Sequence, residues 1–176
     1  MKVLVTGGVR SGKSRHAESL MLRSAPVGPV TYVAPGPSAE DDADWAARIA
    51  AHRARRPARW RTLESHDLGA ALATPGPVLL DCLGTWLAAM LDDHDLWDAP
   101  TATITGAVDA ELARAERALR ERVDPGILVT NEVGLGVVPE HRSGRIFRDL
   151  LGTVNQRLGA ACDEVHLVVA GRVLVL

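Results

Sequence analysis

Residues Gly7–Ser14 read GGVRSGKS near the start of a 176-residue chain. This stretch matches the pattern G-x-x-x-x-G-K-[S/T], in which backbone amides surround nucleotide phosphates. Met1–Thr6 (MKVLVT) before it predicts a short buried strand, and Ser14–Arg23 after it predicts a helix. Strand, loop and helix in this order are the setting that the motif requires. A glycine turn before a helix is the alternative, but lysines occur at only two positions in the chain, which makes a chance match rare.

Each residue type in the loop has a physical reason. Gly7 and Gly12 allow the backbone to curl so that successive N–H groups point at phosphate oxygens. The positive end of the following helix points to the same place. We expect Lys13 to reach the β- and γ-phosphates and Ser14 to hold Mg²⁺. The expected nucleotide-binding set in the loop is Gly7, Gly8, Val9, Arg10, Ser11, Gly12, Lys13 and Ser14.

Composition excludes several classes of protein. Hydrophobic residues make up 47% of the chain and the net charge is −2, so nothing predicts binding to nucleic acid or to a membrane surface. No apolar run approaches the roughly 20 residues that cross a bilayer, and we expect no membrane span and no signal peptide. Cys82 and Cys162 lack metal-ligand spacing and favour small buried side chains of a cytoplasmic protein.

The rest of the chain alternates strand-like and helix-like segments, which predicts one α/β domain over residues 1–176 with a mostly parallel sheet. A short apolar run after Gly171-Arg172 predicts a final antiparallel edge strand formed through a tight hairpin. The predicted strands are Lys2–Thr6, Val30–Ala34, Val78–Cys82, Ile127–Thr130, Val165–Val169 and Val173–Leu176. The predicted helices are Ser14–Arg23, Ala39–Arg55, Thr85–Leu91, Ile104–Val123 and Gly144–Ala161.

Ligands of parallel sheets bind at the carboxyl ends of the strands, so the residues after each strand are candidates for the site. Val78–Asp81 is an apolar strand ending in an acid, and Asp81 is interpreted as a Mg²⁺ ligand or, alternatively, as a helix cap. Thr130–Gly136 is interpreted either as a loop shaped around a ligand or as a turn with an Asx cap.

His52 lies in a basic segment that has six arginines between Arg48 and Arg61. A solvated helix face is the usual meaning of such a run. Neighbouring positive charge also keeps an imidazole neutral and nucleophilic, and arginines can neutralise a triphosphate and its pyrophosphate leaving group. From the residues alone, both interpretations of His52 stay open.

Four blocks in this order closely resemble the bifunctional adenosylcobinamide kinase/adenosylcobinamide-phosphate guanylyltransferase family. They are Gly7–Arg15 (GGVRSGKSR), Arg48–Glu64 (RIAAHRARRPARWRTLE), Thr130–Glu140 (TNEVGLGVVPE) and Phe147–Leu158 (FRDLLGTVNQRL). The resemblance runs from the first strand to the Asp163–Val169 segment. It implies a P-loop NTPase (RecA-like) fold with three layers.

The resemblance implies two reactions. In the first, ATP or GTP phosphorylates the hydroxyl of the aminopropanol arm of adenosylcobinamide. In the second, GTP guanylylates a histidine, which matches His52, and GMP passes to adenosylcobinamide phosphate to give adenosylcobinamide-GDP. Among its nucleotide contacts the family places positions matching Glu64, Asp81 and the strand end Ala34, Pro35 and Gly36.

Further expectations complete the site and its surroundings. Arginines such as Arg53 and Arg56 are expected to stabilise developing negative charge. The resemblance also implies a homotrimer with nucleotide sites near subunit contacts. Two rival hypotheses remain at this point: a P-loop kinase of another small metabolite without guanylyl transfer, and a nucleotide-dependent binding module.

Overall fold

A computed structural model of the chain describes residues 1–36 and 43–176, with the side chains of residues 43–46, 48 and 52 outside the description. The strands are β1 (Lys2–Thr6), β2 (Thr31–Ala34), β3 (Arg61–Glu64), β4 (Val78–Asp81), β5 (Gly126–Val129), β6 (Glu164–Val169) and β7 (Arg172–Val175). The helices are α1 (Lys13–Ser24), α2 (Ala43–Arg55), α3 (Leu68–Ala73), α4 (Leu83–Asp93), α5 (Thr101–Glu121) and α6 (Arg142–Ala160).

The seven strands form one sheet in the order β3-β2-β4-β5-β1-β6-β7. Every neighbouring pair is parallel except β6 and β7. The predicted mostly parallel sheet with an antiparallel edge is therefore confirmed. The hairpin turn consists of Ala170 and Gly171, which both have positive φ, as a tight two-residue turn between twisted strands requires.

Apolar side chains cover both faces of the sheet, which gives the three layers that were expected. Residues of α3, α4, α5 and α6 build a cluster on one face, whereas α1, Tyr32 and Trp60 belong to a second cluster on the other. Helix α5 illustrates the pattern, since its buried residues recur at helical spacing. These residues are Ile104, Val108, Leu112, Ala115 and Leu119.

Two elements were absent from the sequence-based prediction, namely β3 and α3. Strand β3 is short, polar and largely exposed at the edge of the sheet, so it has no apolar alternation to detect. Helix α2 begins at Ala43, and the predicted positions 39–42 lie outside the described residues. Among the helices described, none has the length and apolar character needed to cross a membrane.

Candidate active site

The loop Gly7–Ser14 joins β1 to α1 at the carboxyl end of the central strands. A Cβ on Gly7 would lie 2.4 Å from the carbonyl oxygen of Val168 and 2.7 Å from Ser11 Oγ, so no larger residue fits there without a shift. Gly12 has a φ of +100°, a conformation that glycine adopts readily. The two glycines of the motif are thus required by close packing and by backbone conformation.

Lys13 is buried, and its Nζ donates to the carbonyl oxygen of Gly8 at 3.2 Å. Ser11 Oγ is also buried, and the described part of the structure offers it no hydrogen-bond partner. A buried hydroxyl without a partner costs free energy unless a ligand satisfies it. Both side chains therefore suit a loop that closes around an anionic group.

A cavity of about 540 Å³ lies over this loop. Among the described residues that line it, four are cationic and none is acidic. The lining residues are Arg10, Ser11, Gly12, Lys13, Ser14, Arg15, Arg55 and Gly171. Together with the helix N-terminus, this charge favours a polyanion such as a triphosphate.

Another cavity of about 550 Å³ lies between α3 and α5, next to the segments that precede β4 and β5. Acidic and basic side chains both line it, among them Asp67, Arg114 and Glu121. It therefore lies at the amino ends of the strands and lacks the uniform positive charge found over Gly7–Ser14. We assign the candidate site to the cavity over the loop.

The C-terminal end of α2 lies against this cavity. Arg55 donates from Nε and Nη2 to the two carboxylate oxygens of Glu18 on α1, at 3.3 and 3.2 Å. Glu18 is 7% exposed, so the pair is partly shielded from water. His52 belongs to the same helix one turn before Arg55, on the same helical face, although its side chain lies outside the described part of the structure.

Sequence reasoning overlooked Arg55. Of the six arginines in the segment, the prediction singled out Arg53 and Arg56 for phosphate charge. A run of arginines does not tell which side chain faces a neighbouring element, because that depends on how α2 lies on α1. The only signal was the three-residue spacing between His52 and Arg55, which places both on one helical face.

A second group of predicted residues meets at the outer strands. Ala34 on β2 is the register partner of Glu64 on β3, and Glu64 accepts a hydrogen bond at 2.8 Å from Arg53 Nη2. Pro35 and Gly36 follow directly after β2. The structure thus brings the predicted strand end, the predicted acid and one predicted arginine to the same place, beside α2.

Asp81 ends β4 and lies level with the phosphate loop. Its register partner on β5 is Val129, which in turn pairs with Val5 of β1, two residues before Gly7. Oδ2 of Asp81 accepts a hydrogen bond at 3.0 Å from the hydroxyl of Tyr32, and the guanidinium carbon of Arg56 lies 3.8 Å from the centre of the Tyr32 ring. No sequence signal singled out Tyr32, which was interpreted only as part of a strand.

The residues present fit Mg²⁺. Ser14 and Asp81 offer hydroxyl and carboxylate oxygens, which this ion prefers. Within residues 1–36 and 43–176 no group of three His, Cys, Asp or Glu side chains is arranged to hold a metal. In phosphoryl-transfer sites, one or two protein ligands combine with water and substrate phosphates to hold Mg²⁺.

The segment Thr130–Gly136 borders the loop. The backbone N–H of Glu132 donates to the carbonyl oxygen of Gly7 at 3.1 Å. Thr130 Oγ1 donates to Asn155 Oδ1 at 2.6 Å, and Asn155 Nδ2 donates to the carbonyl oxygen of Asn131 at 3.0 Å. This segment is thus tied both to the phosphate loop and to α6.

A pair of histidines connects α1 to β6 just beyond the loop. His16 Nε2 and His166 Nδ1 are 2.8 Å apart, and His166 Nε2 lies 2.8 Å from Glu164 Oε2. Because a carboxylate only accepts, His166 donates from Nε2, and a neutral His166 then accepts from His16. Burial, then the charges of His166 and Arg23, lower the pKa of His16 below its usual value of 6.5.

Comparison with known proteins gives a consistent result over nearly the whole chain. Residues 3–176 match the family described as "Cobinamide kinase / cobinamide phosphate guanyltransferase". The chain is 44% identical over 182 aligned positions to "Bifunctional adenosylcobalamin biosynthesis protein CobU" of Salmonella typhimurium and 43% identical to the protein of the same name from Escherichia coli, with 97% of each chain covered. It is 40% identical to "Bifunctional adenosylcobalamin biosynthesis protein CobP" of Pseudomonas aeruginosa, with 97% of this chain and 94% of that protein covered.

Proposed function

Because this chain belongs to the cobinamide kinase / cobinamide phosphate guanyltransferase family, we propose that it catalyses both reactions, on adenosylcobinamide and on its phosphate. ATP or GTP is the phosphoryl donor in the first reaction, and GTP is the nucleotidyl donor in the second. One observation carries the proposal beyond family membership: Arg55 of α2, the helix that contains His52, lines the cationic cavity over the phosphate loop.

In the kinase reaction, the hydroxyl oxygen of the aminopropanol arm attacks the γ-phosphorus. The bond from that phosphorus to the β–γ bridging oxygen breaks, and a nucleoside diphosphate leaves. The amides of Gly7–Ser14 and the ammonium of Lys13 orient the phosphates and balance their charge, which is the main protein contribution to phosphoryl transfer.

In the guanylyl-transfer reaction, a ring nitrogen of His52 attacks the α-phosphorus of GTP and pyrophosphate leaves. A phosphate oxygen of adenosylcobinamide phosphate then attacks the phosphorus of the histidine adduct. The N–P bond breaks, and adenosylcobinamide-GDP forms while the imidazole is regenerated. The covalent intermediate divides one displacement into two steps, and the arginines at the end of α2 offset the charge that develops on the phosphates.

Mg²⁺, when bound, supplies positive charge to the phosphate oxygens. The hydroxyl of Ser14 and the carboxylate of Asp81 are the groups that would hold it. Ala34, Pro35, Gly36, Glu64 and Arg53 are proposed to contact the nucleotide beyond its phosphates. Their meeting point beside α2 supports this role.

The assembly and the location are proposed on separate grounds. The resemblance favours a homotrimer of chains that each form one domain over residues 1–176. Cys82 and Cys162 are free thiols rather than a disulfide, as is usual in a reducing compartment, and the cytoplasm is the proposed location.

The test is mass spectrometry of the protein after exposure to Mg²⁺ and GTP, with peptide mapping of any adduct. We expect a GMP adduct on the peptide that contains His52. A His52→Ala variant should lack it, whereas a His94→Ala variant should retain it because His94 is exposed at the end of α4, remote in sequence from both loop and α2.

The kinase reaction is followed in parallel, as formation of adenosylcobinamide phosphate. If adenosylcobinamide were phosphorylated but the protein acquired no GMP adduct, a small-metabolite P-loop kinase without guanylyl transfer would describe the protein better. An adduct on a different residue would remove His52 from the mechanism. Nucleotide binding with neither product would contradict the enzyme assignment.

A further inference from the structure

We propose that Tyr32 is a positioning residue that links Asp81 to α2 through Arg56. This inference rests on the proposed function, in which Asp81 holds Mg²⁺ and α2 contains the guanylylated histidine. It concerns a side chain that neither the motif nor the resemblance singled out. It follows from two contacts made by one aromatic ring.

Tyr32 is the single tyrosine of the chain, and it is only 4% exposed. It lies on β2, next to β4 in the sheet, with Leu79 as its register partner. Side chains two residues apart on a strand share a face, so Asp81 projects from the same face as Leu79. The phenol reaches diagonally along this face to Asp81 Oδ2 at 3.0 Å.

The direction of this hydrogen bond is fixed by chemistry. A phenol hydroxyl is protonated at neutral pH, and an ionised carboxylate can only accept a hydrogen bond. The phenol therefore keeps its proton and donates it, and Asp81 accepts as a carboxylate. A donor on Oδ2 fixes the rotation of the carboxylate, which determines where its oxygens can meet a cation.

Arg56 lies on the face of the same ring, with its guanidinium carbon 3.8 Å from the ring centre. Its Nη1 also donates to Thr62 Oγ1 on β3 at 3.3 Å. Arg56 directly follows the last residue of α2. The ring is consequently placed between a cation on its face and an anion at its hydroxyl, and each attraction favours the other.

The consequence is a coupling between two parts of the site. When the carboxylate of Asp81 is oriented toward Mg²⁺, its hydrogen bond fixes the position of the Tyr32 ring. The ring in turn fixes the guanidinium of Arg56, and with it the end of α2. Removing the hydroxyl alone should weaken Mg²⁺ binding. It should also reduce the effect that a change at Arg56 has on Mg²⁺ binding.

The experiment measures the affinity of an ATP analogue with a β,γ-methylene bridge by calorimetry, in Mg²⁺ and in excess EDTA. The readout is the affinity in Mg²⁺ divided by the affinity in EDTA, which we call the Mg²⁺ ratio. Measuring it requires no catalytic turnover. The variants are Tyr32→Phe, Arg56→Gln and the double variant, with Thr31→Val as the control for loss of a hydroxyl from β2. Thermal unfolding is recorded for each protein.

We expect Tyr32→Phe to lower the Mg²⁺ ratio by about three- to tenfold, which is the scale of one ordinary hydrogen bond, and to leave the affinity in EDTA within twofold. Arg56→Gln should lower the ratio more in the wild-type background than in Tyr32→Phe, where only the direct attraction between Arg56 and Asp81 remains. Thr31→Val should leave it unchanged. An unchanged ratio in Tyr32→Phe, even with a lower melting temperature, would mean that Tyr32 is only a core residue.

If Arg56→Gln changed the Mg²⁺ ratio equally in the wild-type and Tyr32→Phe proteins, the proposed coupling through Tyr32 would also be wrong. The proposed function fails by a separate result, since it requires the wild-type protein to phosphorylate adenosylcobinamide and to acquire GMP. A wild-type affinity that does not respond to Mg²⁺ would refute the coupling by itself, whatever those activities are.

Discussion

Lys13 is one of two lysines in the chain, and the two have contrasting surroundings. Lys13 is 7% exposed within the phosphate loop, whereas the Nζ of Lys2 donates to the carbonyl oxygen of Arg120 at an exposed position. Holding an ammonium group in a largely buried position costs desolvation free energy, which an anionic ligand can offset. This supports a phosphate-binding role for Lys13 rather than a purely structural one.

We therefore expect Lys13→Ala to lower kcat/KM of adenosylcobinamide phosphorylation by about 10²–10³-fold, the usual effect of removing one group that stabilises transition-state charge. Lys2→Ala removes the same charge from the chain without touching the loop, and its kinetics should match those of the wild type. Initial rates at varied nucleotide concentration check both variants. Normal turnover by Lys13→Ala would contradict the role.

At the scale of the elements, α1 is joined to β6 by a contact between two imidazoles. His16 is in the first turns of α1, and His166 on β6 is the register partner of Val5 on the neighbouring strand β1. The lowered pKa of His16 means that the folded protein favours its neutral ring. The unfolded chain takes up a proton near pH 6.5, whereas the folded chain takes it up only at lower pH.

The free energy of unfolding should therefore fall as the pH drops from about 6.5 through the lower pKa of the folded state, because the unfolded chain binds more protons there. Since His16 is partly exposed, we expect its share of the slope to stay below about 1 kcal/mol per pH unit. His16→Gln keeps an N–H donor toward His166 and should flatten the slope. Denaturant unfolding between pH 5 and pH 8 measures the slope of the free energy of unfolding against pH. Equal slopes in the wild type and in His16→Gln would exclude this contribution of His16.

The strands and helices also show which parts of the fold could be predicted from the sequence. The phosphate loop, the five inner strands and the final hairpin carry strong local signals, such as the apolar run Val78–Leu80 and the turn at Gly171. The contacts of Tyr32 and Arg55 carry none, because they depend on β2 lying beside β4 and on α2 lying against α1. Those arrangements result from crossovers and packing between segments distant in sequence.

At the scale of the whole molecule, charge and apolar surface are distributed unevenly. The net charge is only −2, yet the cavity over the phosphate loop collects four cationic side chains. Local concentration of charge therefore matters more for ligand choice than the overall balance. Exposed hydrophobic residues occur in several places, and one group of them lies along the β7 edge of the sheet.

Strand β7 forms one edge of the sheet, and its exposed side chains are unusually apolar for an edge strand. Val173, Leu174, Val175 and Leu176 are 40%, 57%, 57% and 69% exposed, and Val169 on the adjacent strand is 60% exposed. Edge strands commonly carry charges that prevent association, but β7 has only Arg172. A contiguous apolar edge of this kind favours a surface that another chain covers, and the proposed homotrimer would supply such a chain.

We expect Leu174→Asp to shift the protein from trimer to monomer in analytical ultracentrifugation, because a carboxylate would be buried in the subunit contact without a partner. Leu174 is already more than half exposed within a single chain, so the change should cost the folded monomer less than about 1 kcal/mol. Val27→Asp is the matched control, since Val27 is 87% exposed in the connection between α1 and β2 and should leave the trimer intact. A trimeric Leu174→Asp protein would place the contact elsewhere, and a monomeric wild type would remove the trimer from the proposal.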